Sequence, residues 1–400
     1  MKLEKRIGDQ LNYGYELMVI LVILIFVFSI IFNRPLLFIL VGIIMAYLAI
    51  SIIYERNIGN KLALENPRQS IRLFPGEISK VTIAFTNPSA FPIVNGRLNF
   101  SSGNEIEGMK SEKSSNSKTA GYEIPFSIIR RGRTTVSFPF AAQNRGVTRL
   151  SNFKYTFPHL TGFDSIYLNF LGMYRTEFIV YPEPLKVQGV ESLFVQSTGS
   201  QRALLSPYED TLNPAGTRDY VSSDPFSRIH WKASARTSTL QTKIYERTLD
   251  FSWVLVINLA ESSPLGNAYF SGDMEKIISQ VTYFCQIAAR KGYPYELYIN
   301  LQRSGKRRFF SLEEGNSTGQ LKEALELLAR INTGYRLISF SDLLHYVDNR
   351  LYKSKSVVFF GEADADSSWF AERWSTNGLP VYQVKETDGS SYMKKWGERI

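Results

Sequence analysis

Residues Gly216 to Arg236 read GTRDYVSSDPFSRIHWKASAR, a run unusually rich in groups able to hold another molecule. Asp224-Pro225 marks a helix start, because Asp caps free backbone amides and Pro fits the first helical position. A short helix from there to about Arg236 puts Arg228, Lys232 and Arg236, spaced by four, on one face. Phe226, Ile229 and Ala233 recur at helical spacing on another. Three aligned cations make a basic anchor for an acidic partner surface, with His230 and Trp231 packed beside it. The same residue types allow an internal alternative, in which Arg218, Asp219, Asp224 and Arg228 form an ion-pair network fixing one domain against the next. Aromatic and Arg residues suit both interface anchors and buried anchors, so composition leaves the two open.

The order of these residues resembles the signature of the family called domain of unknown function 58. The matching positions are Gly216, Asp219, Tyr220, Asp224, Arg228, Ile229, His230, Trp231, Lys232, Ser234, Ala235 and Arg236. The resemblance extends to the layout of the chain: two amino-terminal spans, a β-domain ending at Tyr181-Pro182-Glu183-Pro184, the signature, then a fold similar to a von Willebrand factor type A domain. It implies a bacterial membrane protein that docks a MoxR-type AAA ATPase and works beside a transglutaminase-like membrane protein. Type A domains often carry Asp-x-Ser-x-Ser after their first strand, oxygen ligands that suit Mg²⁺. The aligned stretch here is Asn258-Leu259-Ala260-Glu261-Ser262, which lacks one charge and one hydroxyl. Asn258, Glu261 and Ser262 are therefore weak metal candidates, with Ser263 and the acidic loop Glu362, Asp364 and Asp366 as possible help. The expectation is no cofactor.

Catalytic patterns are missing. The sequence has no phosphate-binding Gly-rich loop, no Gly-x-Ser-x-Gly elbow and no His-Glu-x-x-His. His159, His230 and His345 are scattered, and Cys285 falls within an apolar helical stripe with no His nearby in sequence. A lone cysteine also excludes an internal disulfide framework and a Cys-rich zinc site. The net charge of +9 suits an anionic neighbour, a membrane surface or an acidic protein. It is spread along the chain without a nucleic-acid-binding module, so nucleic acid is not an expected partner.

The elements that position these residues follow from patterning. Leu17 to Phe32 is apolar and uncharged, and after Asn33-Arg34 a second such run extends from Pro35 to about Tyr54. Two runs of this length predict a membrane hairpin, in which each helix satisfies its own backbone groups. Tyr13, Tyr15, Tyr47 and Tyr54 are expected interface anchors. Lys2, Lys5 and Arg6 precede the hairpin, Arg56, Lys61, Arg68 and Arg72 follow it, and only Arg34 lies between. The positive-inside rule then puts both termini in the cytoplasm.

Beyond the hairpin, period-two alternation at Val81-Ile83-Phe85, Tyr122-Ile124-Phe126-Ile128, Val136-Phe138-Phe140 and Phe153-Tyr155-Phe157 predicts an all-β sandwich. Ser101 to Ala120 is expected as a polar loop, and Arg130-Arg131-Gly132-Arg133 as a basic turn. From Phe251 onward, apolar runs alternate with helical stripes, which predicts a doubly wound α/β domain. The expected divisions are a membrane anchor over 1–61, a β-sandwich over 62–190, a linker with the signature over 191–249 and the α/β domain over 250–400. The functional expectation is a non-catalytic, membrane-anchored adaptor. A Mg-dependent adhesion-type receptor and a purely structural envelope-assembly factor are the alternatives.

Overall fold

The computed structural model describes residues 1–8, 10–32, 35–109, 120–159, 164–198, 209–247, 252–262, 268–302, 309–352, 355–387 and 389–398. The chain has an apolar helical segment near its amino terminus and a body rich in β-sheet. It divides into two compact units, Met1–Glu183 and Pro184–Ile400.

In the first unit, strand β1 (Lys2–Ile7) leads into helices α1 (Gln10–Ile31) and α2 (Pro35–Asn57). The α2 helix is long and apolar enough to cross a membrane, whereas the described apolar stretch of α1, Glu16–Ile31, is shorter. Leu36, Ile39, Ile43 and Ile53 of α2 are exposed, as an apolar solvent would favour. Phe26 and Phe38 meet edge to face at 5.9 Å, so α1 and α2 touch near their shared connection.

The β-domain follows as β2 (Ile78–Asn87), β3 (Ile93–Ser102), β4 (Ala120–Ile128), β5 (Gly132–Ala142), β6 (Ser151–Pro158) and β7 (Ser165–Leu171). One antiparallel sheet has the order β1-β7-β6-β3-β4, and β2 pairs with β5 in a second. Inward-facing aromatics join them: Phe85 lies 5.4 Å from Phe126, and Tyr122 lies 5.7 Å from Phe140, ring to ring. Offset and edge-on rings of this kind add to the burial of apolar area.

Several expectations change here. The amino-terminal residues are not a separate anchor segment, because β1 is an edge strand of the sandwich. Its Lys5 ammonium donates to the carbonyls of Glu55 and Ile58 at the end of α2. Tyr54, expected at a lipid interface, packs edge-on against Phe91 and His159. The side chains of Tyr13 and Tyr15 lie outside the described residues. The segment expected as a loop from Ser101 is partly strand: β3 continues to Ser102 and Ile106–Gly108 pairs with β5, while 110–119 lies outside the described residues. In the basic turn, Arg133 forms a two-pronged ion pair with Glu65 at 2.6 and 2.8 Å.

The second unit contains α3 (Val190–Thr198), β8 (Glu209–Asp219), α4 (Trp231–Thr237), β9 (Gln241–Arg247), β10 (Ser252–Ile257), α5 (Met274–Lys291), β11 (Tyr295–Gln302), β12 (Phe309–Gly315), α6 (Thr318–Ala329), α7 (Phe340–Asp348), β13 (Lys355–Phe360), α8 (Ala365–Thr376), β14 (Val381–Thr387) and β15 (Ser390–Lys395). Its main sheet runs Val187–Gln188, β15, β14, β13, β10, β11, β12. The β14-β13-β10-β11 centre is parallel, and β12 and β15 attach antiparallel at either side. These antiparallel additions were not expected, and they make the sheet mixed.

Alternation along β10 distributes its apolar residues to two cores. Trp253, Leu255 and Ile257 join Ile278, Val281, Phe284 and Cys285 of α5, while Val254 and Val256 join Leu343, Leu344 and Val347 of α7 and Phe370 of α8. A strand buried on both faces must be apolar throughout. The pairing of Val187–Gln188 with β15 also takes residues after Glu183 out of the expected β-sandwich and into this unit.

Candidate functional site

The signature folds as a two-stranded antiparallel arm, β8 with β9, carrying a folded excursion at its end. Thr217 pairs with Lys243, Arg218 with Thr242, and Asp219 with Gln241. A turn, a single 3-10 turn over Phe226–Arg228 and α4 then fill the space between the strands.

The excursion departs from the expected continuous helix. Ile229 forms a β-bridge with Thr242, which breaks the helical run between Arg228 and Trp231. The helix begins instead at His230, whose Nδ1 accepts from the Ala233 amide at 3.1 Å. Its backbone amide in turn donates to the Gln241 carbonyl at 2.7 Å, fastening the helix start to β9. His230 thus caps the helix through its Nδ1.

Asp224 is drawn away from capping by three donors. Its Oδ1 accepts from Arg218 at 2.6 Å, and its Oδ2 accepts from the Val221 amide at 3.2 Å and the Thr242 hydroxyl at 3.0 Å. The Arg218 hydrogen bond is the leading reason its carboxyl sits below the ordinary carboxylate range. Asp219 accepts from the Gln241 side chain at 2.6 Å. Arg218, Asp219 and Asp224 therefore belong to one network within the arm, while Arg228 lies over the Tyr245 ring at 5.8 Å. Gln241, Thr242 and Tyr245, which complete the network, were missed because their roles depend on pairing across the arm.

Other residues of the segment face outward. Trp231, expected to pack, is 67% exposed, and Phe226 is 73% exposed; Val221 and Leu240 are exposed as well. Lys232 and Arg236 lie one helical turn apart on α4, exposed, and no acidic side chain pairs with either among the described residues. Only these two of the three expected cations share a helix. Asp224 is paired with Arg218, whereas no acid pairs with Lys232 or Arg236 among the described residues, so the arm offers aromatic surface flanked by positive charge. Exposed large aromatics beside Arg and Lys are the residue types that dominate binding interfaces.

The weak metal candidates lie elsewhere, after β10. Asn258 Oδ1 accepts from the Ala260 amide at 3.0 Å and the Asn300 amide at 2.8 Å, and its Nδ2 donates to the Glu362 carbonyl at 3.0 Å. Asn300 Oδ1 accepts from the Leu259 amide at 2.9 Å. Glu261 is turned to the Ser271 hydroxyl and the Gly272 amide. The Ser262 and Ser263 side chains lie outside the described residues. Asn258 Oδ1 and Glu261 Oε1 thus accept hydrogen bonds that hold the neighbouring loops together. Among the described residues no group of three or more His, Cys, Asp or Glu side chains is arranged to hold a metal.

No family model and no curated protein matches the chain. Solved structures match in part. A Salmonella alpha-2-macroglobulin is 16% identical over 30% of this chain and 7% of its own, with a TM-score of 0.19. A non-cellulosomal cohesin from Archaeoglobus fulgidus is 13% identical over 30% of this chain and 91% of its own, with a TM-score of 0.21. An E. coli alpha-2-macroglobulin is 13% identical over 78% of this chain and 16% of its own, with a TM-score of 0.20. Agreement this slight assigns neither fold nor function.

Proposed function

We propose that this protein is a non-catalytic, membrane-anchored adaptor whose β8–β9 arm docks an acidic surface of a MoxR-type AAA ATPase. The observation that carries the reading is the exposed Phe226 and Trp231 in the same segment as Lys232 and Arg236, which no acid pairs with among the described residues. The ATPase class, and a transglutaminase-like membrane protein as a further partner, come from the resemblance of Gly216–Arg236 to domain of unknown function 58. On the same ground we read the α/β unit as a doubly wound, von Willebrand factor A-like fold.

The α1–α2 hairpin would hold the chain at the membrane as two spans, with both termini cytoplasmic. The pairing of β1 with β7 supports this arrangement, since strands before and after the hairpin share one sheet and must lie on one side. Nucleotide-driven motion of the ATPase, transmitted through the arm, would then remodel an envelope complex held at the hairpin.

The test is purification of the full-length protein from gently solubilised membranes with Mg²⁺ and a non-hydrolysable ATP analogue. A stoichiometric AAA ATPase, lost with the double variant Lys232→Glu and Arg236→Glu, is the expected result. Recovery of integral membrane proteins alone would favour a structural assembly factor.

A further inference from the structure

A second feature of the α/β unit lies apart from the arm. At the carboxyl ends of β13 and β14 the second unit opens into a cavity of about 860 Å³, walled by the starts of α5 and α8 and by β15. Ligands in open α/β sheets gather at this edge, because the strands stop there and the loops diverge.

The lining carries both charges, and Glu398, three residues after Lys395, lines it as well. Lys385 of β14 and Lys394 and Lys395 of β15 stand toward the outer strands, and no acidic side chain pairs with them among the described residues. Asp273, just before α5, and Glu362, just after β13, stand toward the middle of the sheet. Asp273 makes no side-chain cap to α5. Lys276 and Glu386 also line the cavity but neutralise each other in an ion pair. An isolated anion would meet the carboxylates, and an isolated cation would meet the lysines. A molecule carrying both charges finds complements to each in such a lining.

An independent observation points the same way. Gln383 of β14 lines the cavity at 7% exposure, and its carboxamide has no hydrogen-bond partner among the described residues. Its register neighbours are Phe359 on one side and Lys394 on the other, so the amide lies next to the cationic end. The amide atoms are not among the buried polar atoms without a partner, so they open on the cavity, where water or a ligand supplies their hydrogen bonds. The amide can donate to a carboxylate or accept from an ammonium.

We infer that this cavity binds a zwitterionic ligand, with an ammonium held by Asp273 and Glu362 and a carboxylate held by Lys394, Lys395 and the Gln383 amide. Two sources present that chemistry: free amino acids and short peptides.

The experiment is calorimetric titration of the full-length protein in detergent micelles with L-alanine, L-glutamate, L-lysine and glycylglycine. Acetate and ethylammonium serve as half-ligands. At least one zwitterion should bind with a dissociation constant below about 1 mM, and each half-ligand at least about tenfold more weakly. The fluorescence of Trp396, which lines the cavity, should shift on binding and should not shift in Trp396→Phe. Tighter binding of the amino acids assigns the metabolite source, and tighter binding of glycylglycine assigns a peptide.

Gln383→Leu should weaken binding about tenfold, the loss of one hydrogen bond to a charged group. Should that variant fail to fold, Lys394→Gln with Lys395→Gln changes only surface charge and should weaken the same ligands. Absence of saturable heat with every zwitterion, or equal binding of acetate and the zwitterions, overturns the inference.

Discussion

Arg218 and Asp224 meet at 2.6 Å, with Nη2 of the guanidinium donating to Oδ1 of the carboxylate. Because Asp224 also holds Val221 and Thr242, this pair closes the excursion against both strands of the arm.

The pair makes the arm sensitive to acid. The folded carboxyl is held below its ordinary value of 3.8, chiefly by Arg218, so its contribution is present above that value and lost as pH falls through the lower, folded value. Protection of the Val221 amide, measured against its intrinsic exchange rate at the same pH, should therefore fall below pH 3.8, and Asp224→Asn should show the lower protection already at neutral pH. Unchanged exchange in the variant would show that the network does not hold the turn.

Trp231→Ala and Phe226→Ala should separate docking from folding. Both side chains are mostly exposed, so each variant should change stability by no more than about 0.5 kcal/mol. Recovery of the ATPase proposed as the partner should fall several-fold in each. A large drop in the melting temperature would instead mean that the rings pack within the protein.

Lys355 gives an alkaline limit. Its ammonium is buried between Glu296 at 2.6 Å and Glu314 at 3.2 Å, beneath the Tyr352 ring. Burial is the strongest single influence and pulls its pKa down, but the two glutamates outweigh it and the net shift is upward. A raised folded pKa means stability is intact below the ordinary value of 10.5 and is lost as pH rises through the higher, folded value. Lys355→Met should cost about 3 kcal/mol at neutral pH by stranding Glu296, and Lys355→Met with Glu296→Leu should recover much of it. Chemical denaturation of the single and double variants checks both.

Cys285 should report unfolding. Burial pushes its thiol pKa up, and it sits wholly within the α5 core. Alkylation by iodoacetamide needs the exposed thiolate, so it should be negligible in the folded protein and should rise with denaturant as the helix signal falls. Fast labelling under native conditions would contradict the packing.

Gly361→Ala should weaken the edge where the loops after β10 and β13 meet. Its φ is +93°, and an added Cβ would lie 2.1 Å from the Asn258 carbonyl oxygen. Both effects oppose substitution, so a loss of more than about 1 kcal/mol is expected. Thermal melting of the variant measures it.

Much of this architecture was legible along the chain. Period-two runs such as Val81-Ile83-Phe85 mark strands because a sheet with one buried face demands alternation, and the apolar stripe from Met274 to Ala288 marks α5 for the corresponding helical reason. The Ser317-x-x-Gln320 pattern marks the start of α6 in the same local way, and the Ser317 hydroxyl accepts from the Gln320 amide at 3.1 Å. Uncharged length alone singled out α2. These are local properties, and local residues suffice to state them.

Tertiary pairing decided the rest. Residues 2–7 carry charges and read as a flank to the hairpin, yet they form a strand because β7 offers an unpaired edge. The spacing of Arg228, Lys232 and Arg236 fits one helical face, yet Ile229 is taken into the arm by Thr242 and only Lys232 and Arg236 share a helix. Asp224 is a plausible cap in sequence, but Arg218 and Thr242 from the two strands compete for its oxygens and win. Asn258 could be weighed as a metal ligand until Asn300 and Glu362, distant in sequence, used its amide. Backbone propensity and side-chain type set what each residue can do. Which partner satisfies it depends on groups far along the chain, and only the folded structure brings those together.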